Sequence, residues 1–261
     1  RFESFIRNFS FKSNYLKFEK KEDIDMQRAL IIGCTGQDGS FLTKSLLEKG
    51  FEVVGTTRKT ETYIENHNLL GISKEIDLRN LDPCDFDSLK ALISEIAPEQ
   101  IYYLAAQSSV GESFKYPEET IKSICMGTAT LLEAYKQSGI DSRLFFAGSG
   151  EIFGETKEKA ALNHPLQPTN PYAIAKITSL QLVDLYRNLY GIEACTGILF
   201  NHESELRTNN FVTKKIINGA IHASTNKDYK IRLGNIHIER DWGFAKEYVE
   251  AMQLSLSSEV I

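Results

Sequence analysis

Residues 28–50 constrain this chain more than any other stretch. Arg28-Ala-Leu-Ile-Ile is a short apolar run that ends on Gly33-Cys-Thr-Gly36-Gln-Asp-Gly39. Ser40 to Lys49 then places apolar residues at 41, 42, 46 and 47, and Gly50 follows. The first segment reads as a buried strand and the last as an amphipathic helix with a glycine stop. Strand, glycine loop and helix in that order make a pyrophosphate site. The glycines allow a tight turn and close backbone approach, and the helix N-terminus offers N–H donors to phosphates. Three glycines in an ordinary turn is the plainer alternative. The alternation that follows predicts an α/β fold with a doubly wound parallel sheet of the Rossmann type. Strands are expected near 28–32, 51–56, 101–105, 143–148 and 194–200, and helices near 39–49, 117–138 and 171–190.

The second strand ends in Thr57-Arg58-Lys59. An acidic residue there would hold a ribose 2′-hydroxyl, whereas Arg58 presents a planar fork suited to a 2′-phosphate. NADP is therefore expected over NAD; the alternative is a solvated surface arginine. Asp77-Leu78 ends a third short apolar segment, where side chain and backbone could meet an adenine. Gln100 to Leu104 forms a fourth strand that runs into Ala105-Ala106-Gln107-Ser108. Small residues there admit the cofactor, and a packing role alone would also account for them.

Arg143-Leu-Phe-Phe-Ala-Gly-Ser149-Gly-Glu151 reads as a fifth strand with a polar end, the end at which parallel sheets bind ligands. About one helix later comes Asn170-Pro-Tyr172-Ala-Ile-Ala-Lys176. Tyrosine and lysine four apart share a helix face. An ammonium beside the phenol is expected to lower the tyrosine pKa from about 10 toward neutrality, making a general base for a sugar hydroxyl. Ser149 can bond that hydroxyl. Glu151 adds a second acid–base group, which elimination of water requires and simple alcohol oxidation does not.

Together these residues resemble the GDP-mannose 4,6-dehydratase family of extended short-chain dehydrogenases/reductases, over roughly residues 28 to 251. The most specific stretches are Gly33 to Ser40, Leu104 to Ser108, Pro171 to Lys176, Gly197 to Ser204 with its Asn-His-Glu-Ser block, Phe211 to Lys215, and Arg240-Asp-Trp-Gly243. The resemblance implies Ser149, Glu151, Tyr172 and Lys176 as catalytic residues. It implies cofactor contacts at Gly33, Cys34, Thr35, Gly36, Gln37, Asp38, Arg58, Asp77, Leu78, Leu104, Ala105, Ala106, Gln107, Ser108, Lys176, His202 and Arg207. Asn201 and Lys215 fall at positions implied in binding the nucleotide-diphosphate end of the substrate. The implied activity is a hydro-lyase that converts GDP-mannose to GDP-4-dehydro-6-deoxy-D-mannose with internal hydride transfer through NADP, a step toward GDP-fucose and other deoxyhexoses. A homo-oligomer is implied for the intact protein.

Three departures stand out. The family's Ser-Thr-Ser-Glu becomes Gly148-Ser149-Gly150-Glu151, which is expected to loosen the surroundings of the hydroxyl. Pro-Arg-Arg-Gly-Glu-Thr becomes Glu205-Leu-Arg207-Thr-Asn-Asn210, with one arginine lost. A tyrosine implied at the cofactor corresponds to Glu119. An epimerase or reductase of another nucleotide sugar is the competing enzyme reading, and Glu151 and the Asn-His-Glu-Ser block argue against it. A noncatalytic dinucleotide-binding sensor would need neither Tyr172 nor Glu151.

At 261 residues and 42% hydrophobic content, the chain can bury a sizeable core. No apolar run approaches the ~20 residues that span a bilayer. A net charge of −5 gives no reason to expect nucleic acid as a partner. Cysteines 34, 84, 125 and 195 lack metal-ligand spacing, so no structural metal and a reduced, cytoplasmic setting are expected. Residues 1–25 are read as an extension without function, with Met26 as an original start. Residues 26–200 are read as the NADP-binding Rossmann domain with the catalytic residues, and 201–261 as part of a smaller, truncated substrate lobe.

Overall fold

Near-continuous apolar runs make the central strands, because a parallel sheet covered by helices buries both faces. In the computed structural model, which describes residues 26–58 and 64–259, strand β1 (Arg28–Ile32) leads through the glycine loop into helix α1 (Gln37–Glu48) and strand β2 (Glu52–Thr57). The 1–25 extension and Lys59 lie outside the described residues. Helix α2 (Glu65–Leu70), strand β3 (Asp77–Asn80), helix α3 (Phe86–Ile96) and strand β4 (Gln100–Tyr103) follow. Short helices α4 (Val110–Lys115) and α5 (Pro117–Ile121) run through a π-helical turn at Lys122–Met126 into α6 (Gly127–Ser138). Strand β5 (Arg143–Ala147), a 3₁₀ turn (Gly150–Phe153), helix α7 (Pro171–Tyr190) and strand β6 (Ala194–Gly197) complete the main sheet. Strand β7 (Asn201–Glu203), helix α8 (Val212–Thr225), strand β8 (Trp242–Phe244) and helix α9 (Ala245–Ser257) close the described chain.

The six strands are parallel, in the order β3-β2-β1-β4-β5-β6, and β7 and β8 form a separate parallel pair. The expected doubly wound sheet is therefore present, with Gly33 directly after the carboxyl end of its central strand. Alternate residues of each strand feed opposite cores. Leu30, Ile32, Ile101, Tyr103, Leu144 and Phe146 pack with α3, α6 and α7. Ala29, Ile31, Tyr102 and Phe145 pack with α1 and with Val249, Met252 and Leu256 of α9. Thus, of the 201–261 segment, α9 returns to the sheet.

The helix expected over 117–138 is present and passes through the π turn, which buries Ile124 against α7. The Ile124 carbonyl accepts from Thr128 Oγ1 at 2.7 Å and from Ser179 Oγ of α7 at 3.3 Å. One expectation of the strands needs correction: Asp77-Leu78 open β3 rather than end an apolar segment, Asp77 lying beside Val54 in mid-β2. No helix among the described residues is long and apolar enough to cross a membrane.

Candidate active site

The glycine loop crosses the carboxyl end of β1 beside β4. Gly33 has φ +93°, and a Cβ there would lie 2.6 Å from the Ala105 nitrogen. A Cβ on Gly39 would lie 2.4 Å from the Gly33 oxygen, so these two glycines are required by the chain's own backbone. Gly36 is different: a Cβ there would meet only the Gly33 oxygen, at 3.7 Å. Gly36 also caps α1 with no side-chain bond to the first-turn N–H groups. An open glycine before uncapped N–H groups is a cradle for an anionic group. The open backbone at Gly36 and the first-turn N–H groups of α1 therefore fit a dinucleotide pyrophosphate.

The reacting centre comes from β5, the 3₁₀ turn and α7. Asn170 caps α7 by accepting from the Ala173 N–H at 2.8 Å, and Pro171 sits at the first helical position. That start places Tyr172 and Lys176 on the inward face, both buried. Lys176 Nζ donates to the Ala147 carbonyl at 2.7 Å and lies 5.7 Å from the Tyr172 ring centre. The Ser149 hydroxyl lies close enough to the Tyr172 phenol to lower its pKa, and it accepts from the Glu151 N–H at 3.3 Å. Glu151 Oε2 accepts from Asn170 Nδ2 at 3.3 Å, and its Oε1 stands 3.8 Å from Arg240 Nε. The structure brings all four expected catalytic residues together.

The expected direction of the tyrosine pKa is overturned. Burial pushes Tyr172 up to about 12; the Ser149 hydroxyl opposes this, and Glu151 adds to it. Burial also lowers Lys176 to about 8. Both charged forms are disfavoured by the same loss of water, and the ammonium is spent on a backbone carbonyl. In the chain alone Tyr172 is a neutral hydroxyl.

The expected loosening around Ser149 is also overturned. A Cβ on Gly148 would lie 2.8 Å from Thr196 Cγ2, and one on Gly150 would lie 2.8 Å from the Phe200 ring. Both N–H groups bond the next segment, Gly148 to the Gly197 carbonyl and Gly150 to the Leu199 carbonyl, each at 2.8 Å. Here the glycines tighten the turn.

A second cluster ties the glycine loop to β7. Gln37 Nε2 donates to the His202 carbonyl at 3.2 Å, and its Oε1 accepts from Ser204 Oγ at 2.8 Å. Asp38 Oδ2 meets His202 Nε2 at 2.8 Å, while His202 Nδ1 meets the Phe200 carbonyl at 2.7 Å. The ring stacks on Tyr248 at 4.3 Å between centres. Burial opposes its charge, but the Asp38 carboxylate and the Phe200 carbonyl outweigh burial and raise its pKa. Two acceptors at two ring nitrogens call for the imidazolium. The side chains of Gln37, Asp38 and His202 are thus committed to one another. Arg207 stacks 3.3 Å over the Phe211 ring and pairs with Glu203 at 3.2 Å, close enough to Tyr172 for its charge to be felt there.

The remaining expected residues are dispersed. Arg58 is exposed at the end of β2. Leu78 packs on the core, while Asp77 is exposed and bonded to Arg79 Nε at 2.8 Å, which holds its carboxyl below the usual range. Gln107 turns to its own loop, bonding the Ser109 carbonyl at 2.8 Å; Ser108 is exposed. Asn201 is half-buried in β7 and Lys215 exposed on α8. Two residues were missed as site residues: Asn170, which the Asn-Pro helix start signals, and Arg240, which no local pattern places beside Glu151.

A family model described as GDP-mannose 4,6 dehydratase matches residues 30–261. The GDP-mannose 4,6 dehydratase 1 of Arabidopsis thaliana is 41% identical over 244 residues, which are 88% of this chain and 67% of that protein. The GDP-mannose 4,6 dehydratase 2 of Caenorhabditis elegans is 42% identical over 86% of this chain and 62% of its own length. The Vibrio cholerae GDP-mannose 4,6-dehydratase is 37% identical over 89% of this chain and 65% of its own. The chain spans about two thirds of the length of the curated relatives it matches. Among solved structures, the UDP-glucose 4-epimerase of Thermus thermophilus, in complex with NAD, superposes with TM-score 0.78 at 25% identity, covering 89% of this chain and 75% of that one. The dTDP-glucose 4,6-dehydratase DesIV of Streptomyces venezuelae, also with NAD bound, gives 0.80 at 20% identity over 89% and 72%, a likeness of fold.

Proposed function

The chain belongs to the GDP-mannose 4,6-dehydratase family, and we propose that it carries that family's chemistry, the removal of water from GDP-mannose to give the 4-keto-6-deoxy sugar nucleotide. The observation that carries the reading is Glu151, a half-buried carboxylate held beside the Ser149–Tyr172–Lys176 group. A nicotinamide dinucleotide, which the glycine cradle fits, supplies the hydride acceptor and donor. The reading favours NADP, because Arg58 stands at the end of β2, where a guanidinium suits a 2′-phosphate.

Tyr172 takes the proton of the sugar C4 hydroxyl as its phenolate, while Ser149, beside the phenol, holds the same oxygen. Burial disfavours that phenolate in the chain alone, and the positive charge of an oxidised nicotinamide would favour it. Lys176 faces Tyr172 from one turn along α7 and is charged below a pH of about 8. Once C4 is a carbonyl, the C5 proton is acidic; Glu151 removes it and hands it to the C6 hydroxyl, which departs as water. The hydride taken from C4 would be returned to C6 as C5 regains a proton, which gives the 6-deoxy sugar. Asn170 and Arg240 hold the two oxygens of Glu151 and orient it for that transfer. Incubating the chain with GDP-mannose and NADP and following the 4-keto product tests this reading. A 4-epimer without water loss would overturn it.

A further inference from the structure

The rear of the glycine loop is held by α2, a helix outside every motif described above. Asn66 Nδ2 donates to the Thr35 carbonyl at 3.2 Å, and His67 Nε2 meets the Cys34 carbonyl at 2.9 Å. A carbonyl only accepts, so the ring carries its proton on Nε2. His67 is wholly buried, and burial lowers its pKa and keeps it neutral. Its Nδ1 has no hydrogen-bond partner among the described residues. The imidazole is buried for a single bond, and that bond ends on the loop backbone.

The two carbonyls concerned decide where α1 begins. If the helix ran one turn further back, they would accept from the N–H groups of Asp38 and Gly39, four residues on. Instead Cys34 accepts from His67 and from Ser40 Oγ at 3.3 Å, and Thr35 accepts from Asn66. Helix α1 starts at Gln37, and its first-turn N–H groups face forward without a capping side chain. We propose that Asn66 and His67 are positioning residues for the cofactor pyrophosphate: they draw the loop carbonyls rearward and leave the N–H groups for the anion. This inference rests on the dinucleotide reading of the loop.

Calorimetric titration of the full chain with NADP and with adenosine 2′-monophosphate, which lacks the pyrophosphate, tests it. His67→Leu and Asn66→Ala should each weaken NADP binding by about three- to tenfold, the worth of one hydrogen bond. Neither should change the affinity for adenosine 2′-monophosphate, and His67→Gln, which keeps an N–H donor, should recover part of the loss. Because His67→Leu discards an orphaned ring nitrogen, its Tm should fall little, a split that general loss of structure does not produce. Equal weakening toward both probes, or unchanged NADP affinity in both variants, would overturn the proposal. If His67→Leu does not fold, Asn66→Ala, at a half-buried position, decides alone. An unmutated chain that binds neither probe would remove the dinucleotide reading first and this inference with it.

Discussion

Glu151 separates elimination from oxidation, and it can be changed without changing shape. Glu151→Gln should keep fold and cofactor affinity, yet slow product formation by about 10²–10⁴-fold, the usual worth of an acid–base group. The near-ultraviolet absorbance of a reduced nicotinamide should then build up on the enzyme. Tyr172→Phe should block the earlier proton transfer and show no such absorbance. Product at the unmutated rate from Glu151→Gln would refute the role given to this carboxylate. Arg58→Glu should weaken NADP far more than NAD, since it sets a carboxylate against the 2′-phosphate; equal losses in a direct titration would show that Arg58 does not touch that group. Lys176 gives a pH signature. Its folded pKa, about 8, lies below the ordinary 10.5, so between these values the unfolded chain holds the extra proton and stability rises with pH. Lys176→Met should flatten that rise in denaturant titrations. The residue types and the four-residue spacing of Tyr172 and Lys176 are legible in sequence; their pKa directions are not, because desolvation depends on what packs over them.

Between elements, the clearest coupling joins the glycine loop to β7 through Asp38 and His202. The folded pKa of His202 is raised. Its pairing with Asp38 therefore contributes fully below about pH 6.5, the unfolded value, and is lost as pH rises through the higher folded value. Asp38→Asn should remove that part of the pH dependence of Tm above neutrality; an unchanged profile would show that the pair carries no such energy. The strand–loop–helix unit and α7 could be read from sequence because periodicity, Asn-Pro starts and glycine stops are local signals. The π turn at 122–126 could not. Its residues continue a helical pattern, and only the demand of α7 for Ile124 and its carbonyl widens the turn.

At the scale of the molecule, α9 is part of the sheet's cover. Met252 is 1% exposed in the core shared with Ile31, Leu42 and Phe145. Met252→Ala should cost about 2–5 kcal/mol in urea unfolding, as cavities in a close-packed core do. A loss well under 1 kcal/mol would mean that α9 is only loosely docked. The sequence alone determined the α/β class, the central glycine loop, most strand positions and the residue types of the reacting centre. Each follows from interactions over a few residues, such as burial period, capping and helix spacing. Tertiary structure alone decided the rest. His202 meets Asp38 across 164 residues, Arg240 reaches Glu151, Asn66 and His67 back the loop, and Phe200 fills the space beside Gly150. Those partners, and the pKa shifts that burial imposes, exist only once distant segments have excluded water together, and no local pattern encodes that proximity.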